Sequence, residues 1–595
     1  MARLVAGVDL GTTNSAIAWR NLDEPSGDVV SIPQLTAPGI VEERRLLPSF
    51  LYLAKEGEFA EGALALPWDK KTVYATGEFA RGHGAKVPTR LVASAKSWLS
   101  HSGVDRTGAL LPWQAPPEVE RISPVEASAR YLRHLAGAWK VSRKSAIDSE
   151  EVVLTVPASF DAAARELTTQ AASLAGLHNV TLLEEPQAAL YAWLETVGDG
   201  FRKQVQVGDV ILVVDVGGGT TDLSLIAVSE QEGNLQFTRI AVGDHILLGG
   251  DNMDLTLGHH LAQGKNLDAW QFVALTHGCR QAKEILFSDP KLKKVPISIP
   301  SRGSALIGST IKTELTREDV TRILIDGFMP KVRVTDLPET ARRTGLTQVG
   351  LPYAQDPGIT RHLAAFLTRQ SRIAEGKAFV HPTAILFNGG VFKATALKER
   401  VIEIVNEWLA LDGGAPAKEL EGADLDLAVA RGAAYYGWVR HGHGIRIRGG
   451  TARAYYVGVE TAMPAVPGFE PPVKALCVAP FGMEEGSKAD IPPQEFALVV
   501  GEPTVFRFFA SSVRREDRAG DMIDDAGRSE ELEEVAPVET TLSGEAGKLV
   551  PVNLQAAVTE VGTLGLRCLE KSGPGRWKLE MNVRHPGGVQ DTNVP

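Results

Sequence analysis

Cysteine is scarce in this sequence: three in 595 residues, Cys279, Cys477 and Cys568, widely spaced and each in an apolar context. That excludes a disulfide framework and a cysteine metal motif, and it predicts buried free thiols. Basic residues are also short, 62 Lys and Arg against 73 Asp and Glu, for a formal net charge of -11. A general nucleic-acid or anionic-membrane binder needs the opposite balance, so neither partner is expected. No apolar run approaches the roughly 20 residues of a membrane span. No signal-like region precedes the first apolar strand at Leu4, and a cytoplasmic protein is the expectation. The two commonest nucleotide fingerprints, GxxxxGK followed by Ser or Thr and GxGxxG, are missing as well, which sets aside the folds that carry them.

What is present centres on residues 210–222. An unbroken apolar, β-branched run leads to Asp215, and Gly217, Gly218, Gly219, Thr220, Thr221 and Asp222 follow. Three glycines let the backbone turn at positive φ, and successive N–H groups in such a turn can hold an anion. Thr220 and Thr221 add hydroxyl donors. Asp215 and Asp222 would repel a bare phosphate, so a hydrated Mg²⁺ between carboxylates and phosphate oxygens is implied. A Gly-rich hairpin turn would also satisfy this stretch taken alone. A second copy of the plan, strand, Asp9, Gly11, Thr12, Thr13, decides between them. Two such hairpins imply a duplicated unit, each half offering a loop to one polyphosphate.

At this length several domains are expected. Residues 151–156 read as a strand, Asp161 as the cap of an Ala-rich helix over 162–175, 180–183 as a strand, and Glu184-Glu185-Pro186 as the opening of another helix. Strand and helix in alternation is α/β architecture, and carboxylates at a strand-to-helix junction lie where α/β ligands bind. They could equally be favourable charges at a helix N-terminus. Leu91, Ala95 and Trp98 sit at helical spacing with Lys96 beside them, and a lone Lys on a helix is usually solvated. Further helices are predicted over 270–287, 314–328, 394–411 and 424–438, the last with Gly432, Ala433 and Ala434 for close packing. Residues 384–390 form a buried strand ending in a double glycine. From about 441 short strands and turns take over, with strict alternation over 576–584. Residues 514–534 are strongly charged and read as a disordered loop rather than an acidic binding site. No long helical segment follows the last strand.

These motifs together resemble those of the 70-kilodalton heat-shock (DnaK-type) chaperones: residues 9–15, 215–222, Val156-Pro-Ala-Ser-Phe160, Glu185-Pro186, Leu248-Gly-Gly-Asp251 and Gly389-Gly390, in order over about the first 440 residues. The resemblance implies an actin-like (ribonuclease H-like) ATPase of two duplicated lobes over 1–440, lobe I about 1–190, lobe II about 191–385 and a return to lobe I over 386–440. A β-rich domain for substrate or partner follows over 441–595. It implies ATP and Mg²⁺ as ligands: Thr12 and Thr13, after Gly11, on the β- and γ-phosphates, Asp9 and Asp215 organising the metal, Lys96 steadying γ-phosphate charge, and Glu185 orienting the attacking water. Gly217, Gly218, Gly219 and Thr220 would cradle phosphate from the other lobe, with Gly249 and Gly250 beside them. Arg280, Lys283, Gly389, Gly390 and Lys393 would flank the adenosine, with Asp426 nearby. Pro157 and Arg165 match the family's switch. Extended polypeptide clients, a J-domain co-chaperone and a nucleotide exchange factor are the implied partners.

The chain also departs from the pattern. Arg280, Lys283 and Glu284 stand where the family has a Glu, then a Lys and an Arg, and Ser159 stands where it has a tyrosine. The usual interdomain linker is not found around 442–452, nor is a helical lid. A nucleotide-gated scaffold with one fixed partner, or a small-molecule kinase of the same superfamily, are the alternative functions.

Overall fold

The computed structural model describes residues 4–101, 103–231, 234–299, 311–339, 350–370, 376–422, 424–445, 447–448, 451, 453–461, 472–483, 487–492, 496–511, 514, 516–524, 526–529, 531–558 and 563–582. They divide into two compact units. One comprises Met1–Phe160, Glu166–Phe237 and Ala241–Arg446; the other comprises Asp161–Arg165, Thr238–Ile240 and Ile447–Pro595.

The first unit is built on two sheets of the same plan. In the first, the strands run in the order Val180–Glu184, Glu151–Val156, Leu4–Asp9, Asn14–Asn21, Gly27–Val29. In the second they include, in order, Lys418–Glu419, Ala384–Asn388, Val210–Val216, Thr221–Gln231, Asn234–Val242. Each opens with an antiparallel hairpin whose first strand then pairs in parallel with a later one. The duplication in the sequence is therefore a duplication of topology. Parallel central strands must be covered on both faces, which is why Val5, Ala6, Val8, Val153, Leu154, Leu212, Val213 and Val214 are all fully or almost fully buried.

Two helices cover the first sheet and cross each other at small residues. A Cβ on Gly432, in Ala428–Arg440, would stand 1.8 Å from the carbonyl oxygen of Ala188, in Glu185–Val197. The backbones touch there, as the Gly-Ala-Ala run predicted. That helix begins at Ala428 rather than 424, so Asp426 lies ahead of it.

Other expectations need correction. Leu91 does not share a helix with Trp98: Leu91–Val92 pairs as a strand with Leu51–Leu53, Ser94 takes the left-handed φ of 54°, and the helix is only Ala95–Leu99. Glu314 and Leu315 are strand, not helix, because Ile311–Thr316 pairs with Lys294–Ile299. Thr316 then caps Arg317–Val320 through the Asp319 N–H. The cysteines are free and buried.

The second unit is a β-sandwich. One sheet runs Met522–Ile523, Val473–Ala479, Ala454–Glu460, Pro503–Ser511, Glu533–Thr541. The other is centred on Lys548–Val558, followed by Thr563–Glu570 and Arg576–Asn582. Leu476, Val478, Phe508 and Ala510 of the first pack with Val552, Ala556, Leu566 and Leu579 of the second. The alternation expected over 576–584 is seen where side chains are described, Arg576 and Lys578 exposed, Trp577 half-buried and Leu579 buried; the side chains beyond Leu579 lie outside the described residues. The charged stretch 514–534 is not a featureless loop where it is described. Arg514 pairs with Asp517 and Glu531, and Tyr456 donates to Asp517 at 2.7 Å, so these charges neutralise one another.

Candidate nucleotide and phosphoryl site

The two hairpin turns of the first unit face each other. A Cβ on Gly218 would fall 1.6 Å from Thr13 Oγ1, and one on Gly219 would fall 2.7 Å from Thr12 Cγ2 and 3.5 Å from Ser97 Oγ. Any side chain at Gly218 would collide with the opposite loop. Thr13 Oγ1 is buried with no hydrogen-bond partner among the described residues, a hydroxyl suited to an acceptor oxygen brought by a ligand. Within the second loop, Gly217 N–H donates to the Thr220 carbonyl at 2.9 Å. Gly250 N–H and Asp251 N–H donate to the carbonyls of Gly217 and Gly218 at 3.0 and 2.7 Å, so the Gly249-Gly250 turn braces that loop. In the first loop, Ser49 Oγ donates to the Gly11 carbonyl at 2.7 Å.

Beside the loops lies a charged cluster. Lys96 Nζ donates to Glu185 Oε1, and both side chains are largely buried. Burial alone would push the ammonium down, but the charges of Glu185, Asp9 and Asp222 outweigh it and its pKa rises, so Lys96 is a cation. Burial lifts the Asp9 carboxyl to about 7, with Lys96 opposing and Glu185 reinforcing. Asp215 is raised well above the ordinary carboxylate range by burial and then by the charge of Glu185, although Asn388 Nδ2 donates to it at 2.7 Å. Asp222 goes the other way: burial would raise it, but the neighbouring His245 and a hydrogen bond from Ser159 hold it low. Glu185, Asp9 and Asp222 thus share one ammonium, with Asp215 beside them. Such an excess of buried negative charge fits a divalent cation, which would draw Asp9 and Asp215 back to the ionised form.

The Hsp70 protein family model matches residues 5–334 of this chain, more than half of its 595 residues. The chain belongs to the Hsp70 family. With that membership goes the actin-like ATPase fold of two duplicated lobes, here followed by a β-rich region. Among known proteins, chaperone protein HscA of Salmonella paratyphi B is 33% identical over 274 residues, which cover 44% of this chain and 38% of HscA. HscA of an Enterobacter species is 32% identical and that of Salmonella agona 33%, over the same lengths. The match spans 38% of the length of these relatives.

Within this Hsp70 chain not every residue expected near a nucleotide is brought to the loops with a free side chain. Arg280 donates to Asp254 at 2.6 Å and to Asp251, and Lys283 reaches Asp254 at 2.7 Å. The two cations clamp helix Ala269–Ser288 to helix Gly250–Ala262, whose Asp254 is almost wholly buried. The arginine in place of the family's acid therefore has a partner in this chain. Gly389 takes φ 87°, and a Cβ there would stand 2.3 Å from the Val216 carbonyl and 2.7 Å from Asp215, so it and Gly390 follow directly on the second sheet. Lys393 pairs with Asp426 at 2.5 Å, half exposed. Pro157 and Arg165 are buried, Arg165 in the first turn of helix Ala162–Leu174. Two partners of the cluster had not been singled out from the sequence, Asn388 and His245. The available signal was position: Asn388 immediately precedes Gly389-Gly390, and His245 lies just ahead of Leu248-Gly-Gly.

Proposed function

We propose that this chain is an ATP-dependent molecular chaperone of the Hsp70 type, with residues 1–440 binding and hydrolysing ATP and residues 441–595 binding extended polypeptide. The observation that carries the reading is the opposition of the Thr12-Thr13 and Gly217-Thr220 loops beside a buried Lys96–Glu185 pair. In this reading the two loops hold the β- and γ-phosphates between them, by backbone N–H groups and threonine hydroxyls. Lys96 offsets charge on the transferring phosphoryl group, and Glu185 orients the water that attacks it. Asp9 and Asp215 would hold Mg²⁺, which would add further charge neutralisation. Little covalent chemistry is asked of the protein, since phosphoryl transfer is catalysed mainly by positioning and electrostatics. Arg280 and Lys283 act on the adenosine side by fixing the helix that borders it, with Gly389, Gly390, Lys393 and Asp426 beside the base and ribose. A J-domain co-chaperone and an exchange factor are the proposed partners, and the cytoplasm the proposed setting.

The test is steady-state ATP hydrolysis by the purified chain and by Lys96→Ala and Glu185→Gln. Each variant is expected to lose about 100- to 1,000-fold in kcat, as when one preorganised charge-stabilising group is removed, while MgADP affinity by calorimetry stays within about threefold. Hydrolysis that is insensitive to both changes would remove these residues from the chemistry.

A further inference from the structure

One polar cluster next to the loops is left unused by that reading. Ser159 lies in the turn after Glu151–Val156 of the first sheet, whereas Asp222 lies in Thr221–Gln231 of the second. His245 lies on the connection from Asn234–Val242 to helix Gly250–Ala262. Ser159 Oγ donates to Asp222 Oδ1, and His245 Nδ1 stands 2.6 Å from the same Ser159 oxygen. Ser159 and Asp222 are each 3% exposed.

Proton accounting fixes the directions. The hydroxyl has one hydrogen, and the ionised carboxylate has none to give. With its hydrogen on Asp222, Ser159 accepts from His245, so Nδ1 carries the ring hydrogen. In the neutral ring Nε2 is then the bare acceptor, and it is buried with no partner among the described residues. A buried acceptor left unmade is unfavourable, so the histidine is held here by its bond to Ser159 and by Phe160, edge-on at 5.6 Å. The arrangement joins a turn of the first sheet to the strand that leaves the second phosphate loop. Asp222 follows Thr220 by two residues, so the two lobes cannot part without breaking the Ser159 bond.

We propose that Ser159, Asp222 and His245 form a latch between the two lobes that holds them closed on nucleotide. It rests on the nucleotide-binding reading and deepens it. Ser159 and His245 act as positioning residues through Asp222, and the latch sets how long nucleotide stays. Its strength is that of a charge-assisted hydrogen bond in a buried site, enough to slow opening by about 10- to 100-fold.

Dissociation of a fluorescent ADP analogue by stopped flow tests it. Ser159→Ala and His245→Ala are each expected to speed dissociation about 10- to 100-fold. Ser159→Thr, which keeps the hydroxyl, and His245→Asn, which keeps a donor near Nδ1, are expected to restore a rate close to wild type. The double alanine variant should be no faster than the faster single one, because both break the same connection. A wild-type rate in Ser159→Ala with an unchanged thermal midpoint would overturn the latch, as would fully multiplicative effects in the double variant. Hydrogen exchange at the Phe160 and Leu223 amides in nucleotide-free protein gives a readout independent of ligand: faster exchange in Ser159→Ala supports the latch and unchanged exchange overturns it. A wild-type chain that binds no ADP defeats the nucleotide reading instead, and the exchange measurement then decides the latch alone.

Discussion

His134 shows how one buried side chain makes stability depend on pH in a calculable direction. Its Nδ1 meets the Thr76 hydroxyl, and its Nε2 bonds the Pro33 carbonyl at 2.9 Å. A carbonyl only accepts, so Nε2 carries the hydrogen and Nδ1 accepts from Thr76. Both nitrogens are satisfied by the neutral ring alone. Burial pushes its pKa down from 6.5 to about 4, the Pro33 carbonyl opposing. The folded pKa is thus below the unfolded one, and the unfolded chain binds more protons between them. The stability is complete above about pH 6.5 and is lost as pH falls toward 4, about 2 kcal/mol of it between pH 7 and pH 5. Thermal unfolding of His134→Gln across that range should show a shallower pH dependence than wild type, with the two curves converging in acid. Parallel curves would mean that His134 is not the titrating group. Nothing local in the sequence marks this residue, because its partners lie 58 and 101 positions away.

At the scale of elements, what could be read from the sequence divides along local and non-local lines. The two strand–turn–strand hairpins were legible because each is a local event: an apolar run, an Asp, a glycine turn with paired threonines, then a second strand. The helix over Leu91 to Trp98 was misread because three apolar residues at helical spacing do not reveal that Leu91 has a strand partner 39 positions earlier at Tyr52. The same limit hid the ion-pair partners of Arg280, and it hid His245, which meets Ser159 across 86 positions. Small residues are the exception, since a Gly-Ala-Ala run announces close approach without naming the partner. At Gly432 the partner is the backbone of Ala188, one turn after Glu185. Gly432→Ala therefore pushes against main chain that no rotamer change can clear. A cost of about 3 kcal/mol is expected, at the upper end for overpacking, together with a fall in ATP turnover as the helix carrying Glu185 is displaced. Calorimetric unfolding and the hydrolysis assay on the same preparation check both; an unchanged midpoint would show that the helices do not cross here in solution.

At the scale of the whole molecule the question is whether the proposed ATPase and the β-sandwich in one chain act as one machine. The sandwich buries a core of its own between its two sheets. Two such units influence each other only if a ligand of one binds two states of the other unequally. That requirement has a thermodynamic signature that is independent of how the units are arranged. If ATP in place of ADP changes the affinity for an extended apolar peptide by some factor, the peptide must change the ratio of ATP to ADP affinity by the same factor. Calorimetry on the full chain, with Glu185→Gln to prevent turnover, measures both sides. The chaperone reading predicts a factor between about 5 and 150, the usual span of allosteric coupling, and agreement of the two determinations within error. A factor of one, with peptide bound equally in both nucleotide states, would separate the two activities. Nucleotide bound tightly with no peptide bound at all would instead favour a sandwich made for one fixed partner, because a folded domain that ignores generic extended chains must recognise a particular surface.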